Sequence, residues 1–264
     1  MFRLLLTRRW LAWLAVAAVW ATACLFLGRW QWHRFESRHA AQQLIRTNYD
    51  APAVPLSSVV APGAPLPRNT VWRQVRLSGQ YDTGSRVLIR NRPNSGNYGY
   101  ELVVPFVLTN GGRVLVDRGW LPNGPNANAP DKVPATPAGA LTVVGWVRAG
   151  EPSLRKPVVP GQAASINLPE LSAQVGGSAY NAYVLVRSER AATGAAIERA
   201  TLLPPPDLGT SAWINFSYAL QWWLGIVAGF GFVLARARRE HLDATGRAKA
   251  PKERKVRIWD EEDA

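Results

Sequence analysis

Two transmembrane α-helices flanking a mainly-β (α+β) extracytoplasmic domain: this fold class follows from three observations on the sequence. Residues 10–28 and 213–235 are long apolar stretches without Asp, Glu, Lys or Arg. As helices rising ~1.5 Å per residue, each is long enough for a hydrocarbon core of ~30 Å. Between them lie short runs rich in Val, Leu and aromatic residues, separated by turn residues at strand-like spacing. The single cysteine, Cys24, falls inside the first apolar stretch, so the middle domain has neither a disulfide nor a thiol-based metal or copper site.

The elements follow in order. Residues 1–9 form a cytoplasmic N-terminus carrying Arg3, Arg8 and Arg9, and 10–28 the first span. "TRRWLA" resembles a twin-arginine start and "ATAC" a lipoprotein cleavage site, but Ala21 stands where such a signal has Leu, and apolar residues continue through Leu27. The stretch 29–47 has good helix formers and no Pro or Gly, which predicts a juxtamembrane continuation of the helix. Residues 50–69 hold Pro52, Pro55, Pro62, Pro65 and Pro67 and read as a linker. Strands are predicted at 71–81, 86–91, 100–108, 113–119, 141–148 and 182–188. The third and fourth are joined by "TNGGR", whose Asn-Gly-Gly supplies the positive φ of a tight hairpin. "NLPELSAQVGG" predicts one short helix ending at Gly176. The extracytoplasmic domain thus occupies 29–212, the second span 213–235, and a disordered, lipid-hugging cytoplasmic tail 236–264.

Orientation is set by the second span. Asp207 is the one charge shortly before it, whereas Arg236, Arg238 and Arg239 follow at once, so its C-terminal end is cytoplasmic. With two spans the N-terminus is cytoplasmic as well, and the expected location is the plasma (inner) membrane. A net charge of +13 raises nucleic acid as a partner, but no arginine stripe interleaves with stacking aromatics, and anionic lipid headgroups suit the cations better. Eight of the twelve tryptophans lie in or beside the spans, as expected of an interfacial belt. Only His33, His39 and His241 are present, so the β domain lacks the imidazole of a Ser-His-Asp or zinc site, and its acids read as a solvated surface. No enzyme activity is expected.

"LGRWQWHR" at the exit of the first span, "GYELVVPFVLTNGGRVLVDRGWLP" at 99–122 and "SYALQWW" opening the second occur in an order that resembles the Surfeit locus 1 (Surf-one) family. The resemblance implies an assembly factor, or chaperone, for haem–copper cytochrome c oxidase, with haem a as cofactor or cargo. The implied partners are the oxidase's catalytic subunit and haem a synthesis or copper-delivery factors. The alternative is a membrane-anchored extracytoplasmic scaffold without haem.

The candidate haem a residues are Asn215, Tyr218, Gln221 and Trp222 in the second span and Trp30, Gln31, His33 and Arg34 beside the first. Polar groups in hydrocarbon face a bundle interior or a cavity, and Asn215, Tyr218, Trp222, Gly225 and Gly229 recur at helical spacing along one stripe. Gly225 and Gly229 form a GxxxG step expected to pack on Ala17 and Ala21, and Gly28 permits a close helix approach. Haem-binding relatives carry a histidine where this chain has Asn215, and an amide is a poor axial ligand. His33 is therefore the expected substitute, against the plainer reading of a headgroup-facing residue. Arg34 and Gln31 suit a propionate or simple anchoring. In the β domain the motif residues are Tyr100, Pro105, Asp117, Arg118, Gly119 and Trp120. Pro105 implies an edge or bulge open to a partner strand, and Asp117 and Arg118 are expected to hold turn amides or a neighbouring loop.

Overall fold

A computed structural model describes residues 2–125, 128–157, 159–177 and 180–246. In chain order the elements are α1 (Phe2–Leu5), α2 (Arg8–Asn48), β1 (Val54–Pro55), β2 (Gln74–Tyr81), β3 (Val87–Asn94), β4 (Asn97–Leu108), β5 (Arg113–Pro122), β6 (Leu141–Arg148), β7 (Gln162–Ala163), α3 (Leu168–Val175), β8 (Tyr183–Ala191) and α4 (Trp213–Ala244). They divide into a helical unit, Met1–His39 with Thr210–Ala264, and a β unit, Ala40–Gly209.

In the helical unit α2 and α4 are antiparallel, since Trp10 clusters with Val233 and Ala237 while Arg38 Nη1 donates to Thr210 Oγ1 at 3.3 Å. Along α2 the shielded positions are Trp10, Leu14, Ala17, Ala21, Cys24, Gly28, Gln31 and Phe35, an alternation of four and three residues. Along α4 the shielded positions are broader, Asn215, Phe216, Ala219, Trp222, Trp223, Gly225, Ile226, Gly229, Phe230, Val233 and Ala237, and contain the same alternation from Asn215 to Val233. That period of 3.5 keeps one seam of each helix against the other. The remaining faces are apolar and open: only 17% and 11% of the most apolar stretches of α2 and α4 are buried in the protein, so neither is a soluble core helix. Both are long and apolar enough to cross a membrane. Helix α4 continues to Ala244, so the start of the predicted disordered tail is helical; residues 247–264 lie outside the described residues.

The β unit is one sheet ordered β1-β2-β6-β8-β5-β4-β3-β7, and a further β2–β4 pairing closes β2, β6, β8, β5 and β4 into a barrel. Neighbours are antiparallel except β5–β8, β1–β2 and β3–β7. Val75, Leu77, Phe106, Val116, Val143 and Val184 fill the interior. Leu115, alternating with Val114 and Val116, packs with Ile89, Val103, Leu168 and Leu171 under α3. Both faces of β5 are therefore core. The β4–β5 hairpin turns through Gly111 at φ 82, with Gly111 N–H donating to Leu108 O at 2.9 Å, so one of the three Asn-Gly-Gly residues supplies the positive φ. Helix α3 begins on Asn167, whose Oδ1 accepts from Glu170 N–H at 3.2 Å, and ends at Gly176 in the left-handed region, φ 84.

Pro105 requires a correction. It lies opposite Leu115 of β5, at the point where β4 passes its other side from β3 (Val87↔Val103) to β2 (Tyr81↔Phe106). Its carbonyl accepts from Asp82 N–H at 2.9 Å. β4 is thus a central strand, and proline is tolerated because no ladder donor is needed at the handover. No free edge exists there for a partner strand.

Candidate functional site

The two family-like helix motifs meet in one layer of the helical unit. Gly28 stands against the Trp223 indole, where an added Cβ would lie 2.3 Å from Nε1. One turn on, Trp32 packs on Trp223 and Phe216 with ring centroids at 5.9 and 6.0 Å, and Phe35 on Phe216 and Trp213 at 5.5 and 5.2 Å. Two amides adjoin these rings in sequence, Gln31 beside Trp32 and Asn215 beside Phe216. Asn215 is only 6% exposed and its Nδ2 has no hydrogen-bond partner; Gln31 Oε1 is likewise buried and unpartnered. A buried orphan donor and a buried orphan acceptor each cost about 1–3 kcal/mol, so each calls for a polar partner, which water or a bound group supplies.

The layer divides the predicted residues. Asn215, Gln31 and Gly28 are inside it, and Trp222 is half-buried against Trp20 at 6.5 Å. Tyr218, 48% exposed, and Gln221 lie off the seam, because Ala219 occupies the position that the expected stripe gave to Tyr218. Trp30 is exposed, with the Arg34 guanidinium 5.1 Å from its ring, which is the anchoring arrangement. His33 is 59% exposed with Nδ1 3.3 Å from Glu36 Oε2, so it turns away from α4. The imidazole that faces α4 is His39, stacked on Phe35 at 5.4 Å and edge-on to Trp213 at 6.0 Å. The signal was available: continuing the alternation from Gly28 and Gln31 through Phe35 brings the next seam position to 38–39. Gly225 and Gly229 accommodate Trp20 and Cys24 rather than Ala17 and Ala21; an added Cβ would lie 3.3 Å from Cys24 Sγ and 2.8 Å from Trp20 Cδ1 respectively. The Trp20 indole N–H donates to the Gly225 carbonyl at 3.0 Å, a cross-helix bond the glycine permits.

The β-domain motif builds two buried charge clusters, contrary to the expectation of a solvated acidic surface. Arg118 enters the barrel and pairs with Glu189. Its Nη1 donates to Ala135 O and its Nη2 to Glu198 O, at 3.2 and 3.0 Å, so it also holds two neighbouring loops. Asp117, on the opposite face, accepts from Gly119 N–H at 2.9 Å. Near it Arg92 bridges Glu101 (Nε–Oε2 2.9 Å) and Glu151 (Nη2–Oε2 2.6 Å). Burial pushes the Glu101 carboxyl up to about 7, with Arg92 pulling down and Glu151 pushing up. Burial, aided by Glu101, holds Asp117 well above the usual carboxylate range. Tyr100 is buried in the barrel, and Trp120 Nε1 donates to Arg92 O at 2.8 Å.

Gly119 has φ 121, and an added Cβ would sit 2.5 Å from Thr201 O, on the segment that bonds reciprocally with Trp120. Gly119→Ala is expected to cost about 2 kcal/mol, read as a lowered urea midpoint at unchanged slope. A neutral result would show that the Thr201 segment is free to move. Among the described residues no group of three or more His, Cys, Asp or Glu side chains is placed to hold a metal ion.

Residues 18–225 match the model of the SURF1 family. SURF1-like proteins described as uncharacterized, from Mycobacterium bovis and from two strains of Mycobacterium tuberculosis, are each 29% identical over 253 residues, covering 92% of this chain and 90% of the relative.

Proposed function

Since the chain belongs to the SURF1 family, known generally as cytochrome oxidase assembly factors, we propose that it assists delivery of haem a to the oxidase's catalytic subunit, or its retention there, without enzymatic turnover. The observation that carries this reading is the Gln31–Asn215 layer, where two amides with buried, unpartnered atoms adjoin the cross-helix aromatic cluster in sequence. Aromatic walls and unmet polar atoms suit the rim of a planar macrocycle or a polar group on a partner helix. They do not suit axial ligation from α4, because position 215 offers an amide. Bound haem a would supply the iron chemistry of the oxidase; this chain's residues would hold and orient its carrier. Partners of this kind are the catalytic subunit and haem a synthesis or copper-delivery factors.

Both helices are taken to cross the plasma membrane with the β domain outside. Antiparallel pairing supports this, since it brings Arg3, Arg8 and Arg9 to the same end as Arg236, Arg238 and Arg239, with Arg9 3.5 Å from Glu240. The scaffold reading without haem is favoured by one observation, the exposed, outward-turned His33 in a chain that has lost the family histidine.

In a deletion strain of the source organism, reduced-minus-oxidised spectra of membranes are expected to lose the haem a signal and regain it with the wild-type gene. Asn215→Leu, which keeps the branched shape and removes the amide, is expected to restore less than half of it. His33→Ala is expected to restore it fully. An unchanged spectrum in the deletion strain would overturn the assembly reading in favour of the scaffold.

A further inference from the structure

At the arginine-bearing end of the helix pair, an open groove of about 380 Å³ runs between α2 and α4. Gly225, Ala228 and Gly229 form its floor, and Trp13, Trp20 and Phe232 its walls. Trp13, Phe232 and Val233 also border a second hollow of about 240 Å³ lined by Arg9, Trp10 and Arg236. Phe232 and Arg236 also border a third hollow with Arg239. The result is a surface channel that is apolar along its length and cationic at one end.

Two further observations bear on what fills it. Trp10 is 2% exposed and its indole N–H has no acceptor in the protein. Glu240 pairs with Arg9, and Arg236 and Arg239 have no acidic partner among the described residues. An orphan buried donor beside the unneutralised Arg236 guanidinium calls for an anionic acceptor. From Trp10 to Trp20 the helix rises ~15 Å, about half of a ~30 Å hydrocarbon core and so the depth of one leaflet.

We propose that this channel is a binding site for an acidic phospholipid, with one acyl chain laid over Ala228 and Gly229 between Trp13 and Phe232 and the phosphate seated between Arg9 and Arg236. A partner helix fills the apolar part equally well, but it brings no anion to the level of Trp10 unless it also carries an acidic residue there. Phospholipid combines both features and is present around every copy of the chain. The phosphate takes charge-assisted bonds from the guanidinium groups. Cys24 and the Gln31–Asn215 layer lie further along the seam, so the site is separate from the one proposed to serve haem a. The inference rests on the reading that both helices cross the membrane.

The test is native mass spectrometry of the full chain in neutral detergent, titrated with phosphatidylglycerol and with phosphatidylcholine of the same acyl chains. Wild type is expected to retain phosphatidylglycerol preferentially. Arg236→Gln should reduce that preference about fivefold, from a contribution of about 1 kcal/mol per arginine. Ala228→Phe, an exposed position off the seam, should reduce binding of both lipids about tenfold by displacing a few buried methylenes. Arg29→Gln, at the other end of the first span, should change neither. Equal binding of the two lipids, or a preference that survives both groove variants, overturns the proposal. A lipid-free groove with a dimer that Ala228→Phe dissociates overturns it in favour of a second copy. Carbonate washing of membranes separates the two levels: release of the chain sinks the membrane reading itself, whereas retention without lipid preference sinks only the lipid site.

Discussion

Arg118→Met is expected to lower the stability of the β domain by about 3–5 kcal/mol, the largest effect of any single substitution outside the helices. The Arg118 and Glu189 side chains are 0% and 1% exposed, with Nε–Oε1 at 2.9 Å and Nη2–Oε2 at 3.2 Å. Tyr81 Oη donates to the same Oε1 at 2.6 Å, and the guanidinium lies 5.2 Å from the Tyr81 ring. Burial and the neighbouring Glu189 raise the Tyr81 hydroxyl's pKa, so it remains a neutral donor. Methionine fills the space of the arginine stem but leaves the carboxylate in the barrel with one donor, and the loop carbonyls of Ala135 and Glu198 lose theirs. Desolvation of that unpaired charge dominates the cost. Arg118→Met with Glu189→Leu is expected to recover more than half of the loss, because no charge is then stranded. Urea unfolding of the full chain in detergent, followed by the sheet signal in circular dichroism, measures both. A single-variant cost below about 1 kcal/mol would mean that water reaches the pair and that it behaves as a surface bridge.

That pair also shows where sequence reasoning stops. Arg118 and Glu189 are 71 residues apart, and nothing local to "VLVDRGW" says that its arginine points into an apolar barrel. The strands were legible because their apolar runs and turn residues are local: predictions at 86–91, 113–119 and 141–148 fall on β3, β5 and β6, and the helix ending at Gly176 is α3. Closure was not legible. It depends on the β2–β4 pairing, which makes β4 central and turns Pro105 from an edge marker into the point where two partners exchange. In the helical unit the 3.5-residue alternation was present in the sequence, but the stripe drawn through Asn215, Tyr218, Trp222, Gly225 and Gly229 placed Tyr218 on the seam instead of Ala219. His33 was chosen as a substitute for the missing family histidine, whereas the imidazole that packs against α4 is that of His39. Asn215 was found because an amide within an apolar span has few neutral explanations.

The second large effect is a dependence on pH, whose sign follows from the cluster around Asp117. Glu101 is held up at about 7, from 4.5, by burial first, with Glu151 adding to the rise and Arg92 and Arg148 opposing it; Asp117 is raised by burial and by Glu101. In the window between the unfolded and folded values the native state binds more protons than the unfolded chain, so stability falls as pH increases. This contribution is complete below the unfolded value of about 4.5 and is lost by the time pH passes about 7. For Glu101 alone the change is up to roughly 3 kcal/mol. The β domain is therefore expected to melt higher at pH 5 than at pH 7.5, opposite to a domain whose carboxylates are all held low by arginines. Glu101→Gln removes the like-charge contact with Asp117 and leaves Arg92 its bond to Glu151 at 2.6 Å. The variant should flatten the profile between pH 5 and 7.5 and be at least as stable as wild type at the upper end. Melting temperatures of the full chain in detergent across that range decide the matter. A wild-type stability that climbs with pH, or a Glu101→Gln variant equally weakened at every pH, would show that Arg92 neutralises the cluster and that no proton is held there.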